Sequence, residues 1–146
     1  MRRLRRLVRL PAAERGLLVK AAILLWAIRL GLWLLPFQTL RALLVRVARP
    51  PAGSPPRDPS VPDRIAWGVA VASRYLPRAT CLTQALAAQA LLARNGHPAC
   101  VRIGVATTGA RQFHAHAWVE SQGRVVFGGS EVQRYAQLAT FRHPAP

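Results

Sequence analysis

Two cysteines and four histidines are the strongest nucleophile and base candidates in this chain. Cys81 opens the run Cys81-Leu82-Thr83-Gln84-Ala85-Leu86, whose alanine- and leucine-rich continuation to Arg94 reads as a helix, with Asn95-Gly96 as its stop signal. At a helix start, unpaired backbone N–H groups and the positive end of the dipole favour thiolate over thiol. A buried cysteine acting as a small hydrophobe is the ordinary alternative, but a helix start preceded by Pro77 and Thr80 is a poor place to hide an inert side chain. His114 and His116 stand in Phe113-His114-Ala115-His116-Ala117-Trp118-Val119-Glu120. With a period of two, His114, His116, Trp118 and Glu120 share one face of a strand, and Ala115, Ala117 and Val119 share the other, the natural core side. A helix-start cysteine and a strand histidine suit acyl chemistry: the imidazole takes the thiol proton and the helix-start N–H groups hold the oxyanion. Zinc is the rival use of that face, through His114, His116 and Glu120, yet neither a cysteine pair nor a helical His-Glu-x-x-His pattern accompanies them. Cys100, in a strand among apolar residues, reads as a buried structural thiol.

The elements around these residues change in character along the chain. Residues 12–35 are helix-forming, entered through Pro11 and broken at Pro36, and 37–48 form a second helical piece. Residues 50–62 hold six of the twelve prolines and read as a linker. Helices are expected over 63–75 and 79–94. After Gly96 the pattern turns to alternation, predicting strands over 99–106, 113–120 and 124–127, with Gln122-Gly123 as a hairpin turn. Ser130 is expected to cap a short final helix running to Leu138. Helices first and an antiparallel sheet afterwards is an α+β order, and there are no internal repeats. The domain reading is an N-terminal amphipathic helical extension (1–49), a Pro-rich linker (50–62) and a catalytic domain (63–146).

With 146 residues and 51% apolar side chains, the chain suffices for one domain with a core and is too short for two full-sized ones. Twenty-one basic residues against five acidic ones give a formal charge of +16, almost all of it guanidinium because Lys20 is the only lysine. That balance implies an acidic partner, since arginine suits carboxylates, phosphates and anionic surfaces. Two cysteines are too few for a disulfide-stapled secreted domain. Arg2, Arg3, Arg5, Arg6 and Arg9 resemble the basic end of a signal peptide, but no small-residue cleavage site follows, and Lys20 and Arg29 interrupt the apolar stretch. The longest uncharged run there, Leu30 to Leu40, is 11 residues, against about 20 for a bilayer span. A cytoplasmic location is expected, with peripheral membrane contact open to an apolar helix edged by arginines.

Four segments carry a family resemblance: Leu76-Pro77-Arg78-Ala79-Thr80-Cys81-Leu82-Thr83-Gln84-Ala85-Leu86, Leu91-Leu92-Ala93-Arg94-Asn95-Gly96, Ile103-Gly104-Val105, and Phe113 to Glu120. In this order and spacing they resemble the transglutaminase-like cysteine peptidases of lasso-peptide biosynthesis, the leader peptidase B proteins, which are similar to the C-terminal domain of the microcin-processing protein. The likeness runs from about Pro62 to Phe141, and the N-terminal stretch ending in Leu34-Leu35-Pro36-Phe37 resembles the family's stand-alone version. It implies a transglutaminase-like, papain-related α+β fold with Cys81 as nucleophile and His116 as base, and no cofactor or metal. It further implies removal of the leader from a ribosomally made precursor peptide, so that a macrolactam-forming cyclase can close the ring. In the split form of the family a separate leader-recognition protein holds the precursor, and nothing in this chain looks like a fused recognition domain.

Members often complete a Cys–His–Asp triad from the end of the next strand. Here that stretch is Val125-Val126-Phe127-Gly128-Gly129-Ser130, with Gly128 where the aspartate is often found. Glu120, Glu131, Gln133 and a backbone carbonyl are the alternatives the residues leave open. Two other functions share these features: a non-catalytic basic protein binding an acidic peptide, nucleic acid or membrane surface, and an acyltransferase on the same fold. Nucleic acid is not expected, because the arginines are scattered through amphipathic helices with no interleaved aromatic platform. The N-terminal helices are expected to fold back on the catalytic part and leave an apolar patch for the recognition protein or the cyclase.

Overall fold

The structure, a computed structural model, describes residues 10–53, 57–109, 112–130 and 132–143. Helix α1 (Ala12–Leu34) starts behind Pro11 with Glu14 in its first turn and stops before Pro36; α2 (Phe37–Val47) follows directly. The chain enters α3 (Val61–Ser73) through a turn closed by Asp58, whose Oδ1 accepts from the Ser60 amide at 2.8 Å and its hydroxyl at 2.7 Å. Helix α3 thus begins two residues before Asp63, with Pro62 in its first turn where a missing N–H costs nothing. Helix α4 (Cys81–Arg94) is buried along most of its length, and its alanines allow neighbours to approach from several sides.

Strands β1 (Cys100–Thr108), β2 (Gln112–Ser121), β3 (Arg124–Phe127) and β4 (Ala136–Arg142) form one antiparallel sheet in the order β3-β2-β1-β4. Its inner face presents Val101, Ile103, Ala117 and Val119 to the helices, and its outer face carries Arg102, Gly104, His116, Trp118 and Glu120. The molecule is α+β, as the order of elements implied.

The expected final helix from Ser130 to Leu138 does not form. One 3-10 turn (Val132–Arg134) leads into β4, which pairs with β1 along Cys100–Val105. Without it β1 would be an edge of unpaired N–H and C=O groups. The pairing also carries Phe141 to the core, where its ring meets Phe37 edge-on at 5.3 Å and the Arg41 guanidinium lies 4.6 Å above it. These non-local gains outweigh a weak local helix preference.

A principal core joins helices and sheet among the described residues. Leu25 and Ile28 from α1, Ile65 and Val69 from α3, Leu86 and Leu92 from α4, and Val101 and Val119 from the sheet are all essentially inaccessible. Leu25→Ala is therefore expected to lower unfolding free energy by about 2–5 kcal/mol, read from the denaturant midpoint. An effect under about 0.5 kcal/mol would mean that α1 is not integral to the core.

His97, in the turn between α4 and β1, is buried, and among the described residues its Nε2 has no hydrogen-bond partner. Burial first, and then the Arg57 charge, push its pKa below the ordinary 6.5, against the opposing influence of Asp58. The unfolded chain thus takes up this proton at higher pH than the folded one. Stability is complete above about pH 6.5 and is expected to fall as the pH drops below it. His97→Gln should flatten that part of a plot of denaturation midpoint against pH.

Candidate active site

Cys81 is the first residue of α4, and three side chains hold the backbone that presents it. Thr80, extended at φ −75° and ψ 158°, caps the helix by accepting from the Thr83 amide at 3.3 Å, and the two threonine hydroxyls lie 2.9 Å apart. Gln84 Nε2 donates to the Ala79 carbonyl at 3.1 Å. Arg29, reaching from α1, donates to the Arg78 carbonyl at 2.7 Å. Arg78 sits at φ +61°, a left-handed conformation that costs a non-glycine residue on the order of 1–3 kcal/mol and persists only where surrounding contacts enforce it. The helix start leaves the Cys81 and Leu82 N–H groups without an intrahelical acceptor, beside a free, half-buried thiol. This end of α4 suits an oxyanion.

His116 lies on the outer face of β2, opposite Gly104 of β1. Its Nε2 is 2.8 Å from the Gly128 carbonyl oxygen. A carbonyl only accepts, so in the neutral ring Nε2 carries the proton and Nδ1 keeps the lone pair of a base. The ring stacks with Trp118 at 6.3 Å between centroids and meets Tyr135 at 5.2 Å. Gly104 makes room for both neighbours, because a Cβ there would lie 2.8 Å from Tyr135 Cβ and 2.9 Å from the Trp118 ring.

The group that meets His116 Nε2 is backbone, the Gly128 carbonyl. Gly128 has φ +72°, and a Cβ on it would sit 3.0 Å from the Ala117 carbonyl oxygen. The glycine is needed for the chain to pass this close to β2, and its carbonyl, rather than a side chain, meets the histidine. Glu120 shares the His116 face but is committed elsewhere: Oε1 accepts from Trp118 Nε1 at 3.0 Å and Oε2 from Arg102 Nε. Gln133 is exposed on the 3-10 turn and makes no hydrogen bond to His116, and Glu131 lies outside the described residues.

Cys81 and His116 are not hydrogen-bonded to each other. Cys81 packs against the core on the helical side of the sheet, whereas His116 belongs to the row pointing away from it. Pairing with Val119–Ser121 is as far as β3 goes, so His116 stands beyond the last β3 pair. His114 is exposed on the same strand, and no group of three or more metal-ligating side chains lies together among the described residues. Cys100 is half-buried and shares the outer row with Arg102, not the apolar interior. Neither Arg29 nor Tyr135 carries a local site signal: one reads as an interruption of an apolar helix, and the other lies within the expected final helix.

Cys81 thus opens a central helix, and His116 stands on a later antiparallel strand. The chain belongs to the transglutaminase-like superfamily, whose profile matches residues 22–140, from the middle of α1 into β4. That superfamily consists mostly of cysteine-dependent enzymes. Comparison with curated proteins and with solved structures found no match.

Proposed function

We propose that this protein is a cytoplasmic cysteine endopeptidase that removes the leader from a lasso-peptide precursor, with Cys81 as nucleophile and His116 as base. It works with a separate leader-recognition protein and a macrolactam-forming cyclase. The observation that carries the reading is the His116 Nε2 contact with the Gly128 carbonyl, because it leaves Nδ1 as the basic nitrogen in a superfamily built on cysteine chemistry. The resemblance of the segments around Cys81 and His116 to the leader peptidases supports the substrate class.

For the reaction to run, Nδ1 and Sγ, which stand on opposite sides of the sheet at rest, must come within hydrogen-bond reach, and Nδ1 then takes the thiol proton. The thiolate attacks the scissile carbonyl carbon, and the oxyanion is held by the Cys81 and Leu82 N–H groups. One such donor is worth about 10²–10³ in rate. The C–N bond breaks as the imidazolium returns its proton to the departing amine of the core peptide. Water, deprotonated by the same nitrogen, then hydrolyses the thioester and releases the leader as a carboxylate.

The test is mass spectrometry of a cognate precursor incubated with this protein and its recognition partner, comparing wild type with Cys81→Ala. A leader-sized fragment from wild type alone is the expected result. Equal processing by purified Cys81→Ala protein would overturn the proposal.

A further inference from the structure

We propose that the outward row of α1 is a membrane-association surface that seats this protein on an anionic lipid bilayer. The row is Val19, Ile23, Trp26, Leu30 and Trp33, spaced four, three, four and three residues apart, and all five side chains are exposed. Trp33 is 84% exposed and Ile23 65%. At 1.5 Å per residue the row runs for about 21 Å. A continuous exposed apolar ridge of this size, with two tryptophans in it, marks a contact surface rather than scattered surface hydrophobics.

The other side of the same helix decides the geometry of that contact. Ala21, Leu25, Ile28 and Gly31 are buried against the rest of the protein, and Arg29 is tied to the Arg78 carbonyl. The helix is long and apolar enough to cross a bilayer by length and composition. With one side committed to the core, it lies along a surface with its outer row immersed. Tryptophan suits that depth, with its ring among acyl chains and its N–H at the headgroups.

Charge selects the occupant. Arg15 is exposed at the N-terminal end of the row, Lys20 is exposed beside it, and five arginines stand among the nine residues preceding Leu10. Basic residues beside an apolar helix face favour binding to an anionic membrane surface. A second copy of this chain brings the same formal +16 to the contact, so self-association through this row is opposed by the charge that draws it to anionic lipid.

The experiment uses the full chain with vesicles of phosphatidylcholine and phosphatidylglycerol in equal parts, and with phosphatidylcholine alone. Co-sedimentation gives the affinity, and tryptophan emission reports immersion. Wild type is expected to bind the anionic vesicles with a blue-shifted emission, more weakly at high salt, and far less to the neutral ones. Ile23→Ser/Trp33→Ser should keep the wild-type melting temperature, because both side chains are exposed, and bind the anionic vesicles at least about tenfold more weakly. Absence of binding to anionic vesicles, or undiminished binding by the variant, would overturn the proposal. So would concentration-dependent dimerisation in equilibrium sedimentation that the variant abolishes, which would assign the row to a second copy.

Discussion

Cys81→Ala and His116→Ala are each expected to lower the rate of leader removal on the order of 10⁴-fold or more, and the double variant to lose no more than the worse single one. The non-additivity is the sharper part of the expectation. If His116 acts by deprotonating Cys81, removing the thiol leaves the imidazole with nothing to do, and the two losses overlap. Two residues contributing separately would multiply their losses. Single-turnover kinetics on the four proteins measures this directly. Losses that multiply would break the dyad, even if each single variant were inactive. Folding is not expected to confound the result, because the thiol is half-buried and the imidazole's one side-chain hydrogen bond is to a carbonyl at the sheet edge.

Placing at Gly128 the acid that the resemblance to the leader peptidases implies is expected to harm the protein. Gly128→Asp places a side chain at φ +72°, against the backbone of Ala117 and Trp118. The strain is on the order of 1–3 kcal/mol, and its relief moves the Gly128 carbonyl away from His116. Loss of the group that orients the base and selects its tautomer can cost up to about 10⁴ in rate. Gly128→Asp should therefore melt at lower temperature and process precursor far more slowly, with Gly128→Ala similarly impaired. Faster processing by Gly128→Asp would show that a carboxylate, rather than this carbonyl, is what the histidine lacks.

The contrast between these two predictions follows how the site could be read. The places of Cys81 at a helix start and His116 on a strand were legible because each announces itself locally. A Thr80 cap before an alanine-rich run marks a helix start, and His-Ala-His-Ala-Trp marks a strand with unequal faces. The inner and outer rows of β2 follow directly from that alternation. Gly128 was visible only as a missing acid. Nothing in Phe127-Gly128-Gly129 shows that its carbonyl meets a ring twelve positions earlier, because that contact depends on how the chain crosses the sheet after β3.

The last strand shows the same division. Ser130 to Leu138 had a capping residue and an acid in the expected first turn, which are helix signals over a few residues. What decided the matter was the unpaired edge of β1, a feature of the assembled sheet. Arg29 belongs to the same class. As a charge within an apolar helix it reads as a defect, and only the packing of α1 beside α4 makes it a donor to the Arg78 carbonyl, 49 residues away.

By itself, then, the sequence determined the α+β order, the principal helices and three of the four strands, because caps, prolines and hydrophobic periods act within a turn or two of chain. Only the tertiary structure decided the fourth strand, the backbone partner of His116, the hold on the Cys81 loop, and which side of α1 stays exposed. Those depend on hydrogen bonds and packing between segments far apart in sequence, whose meeting no local pattern encodes.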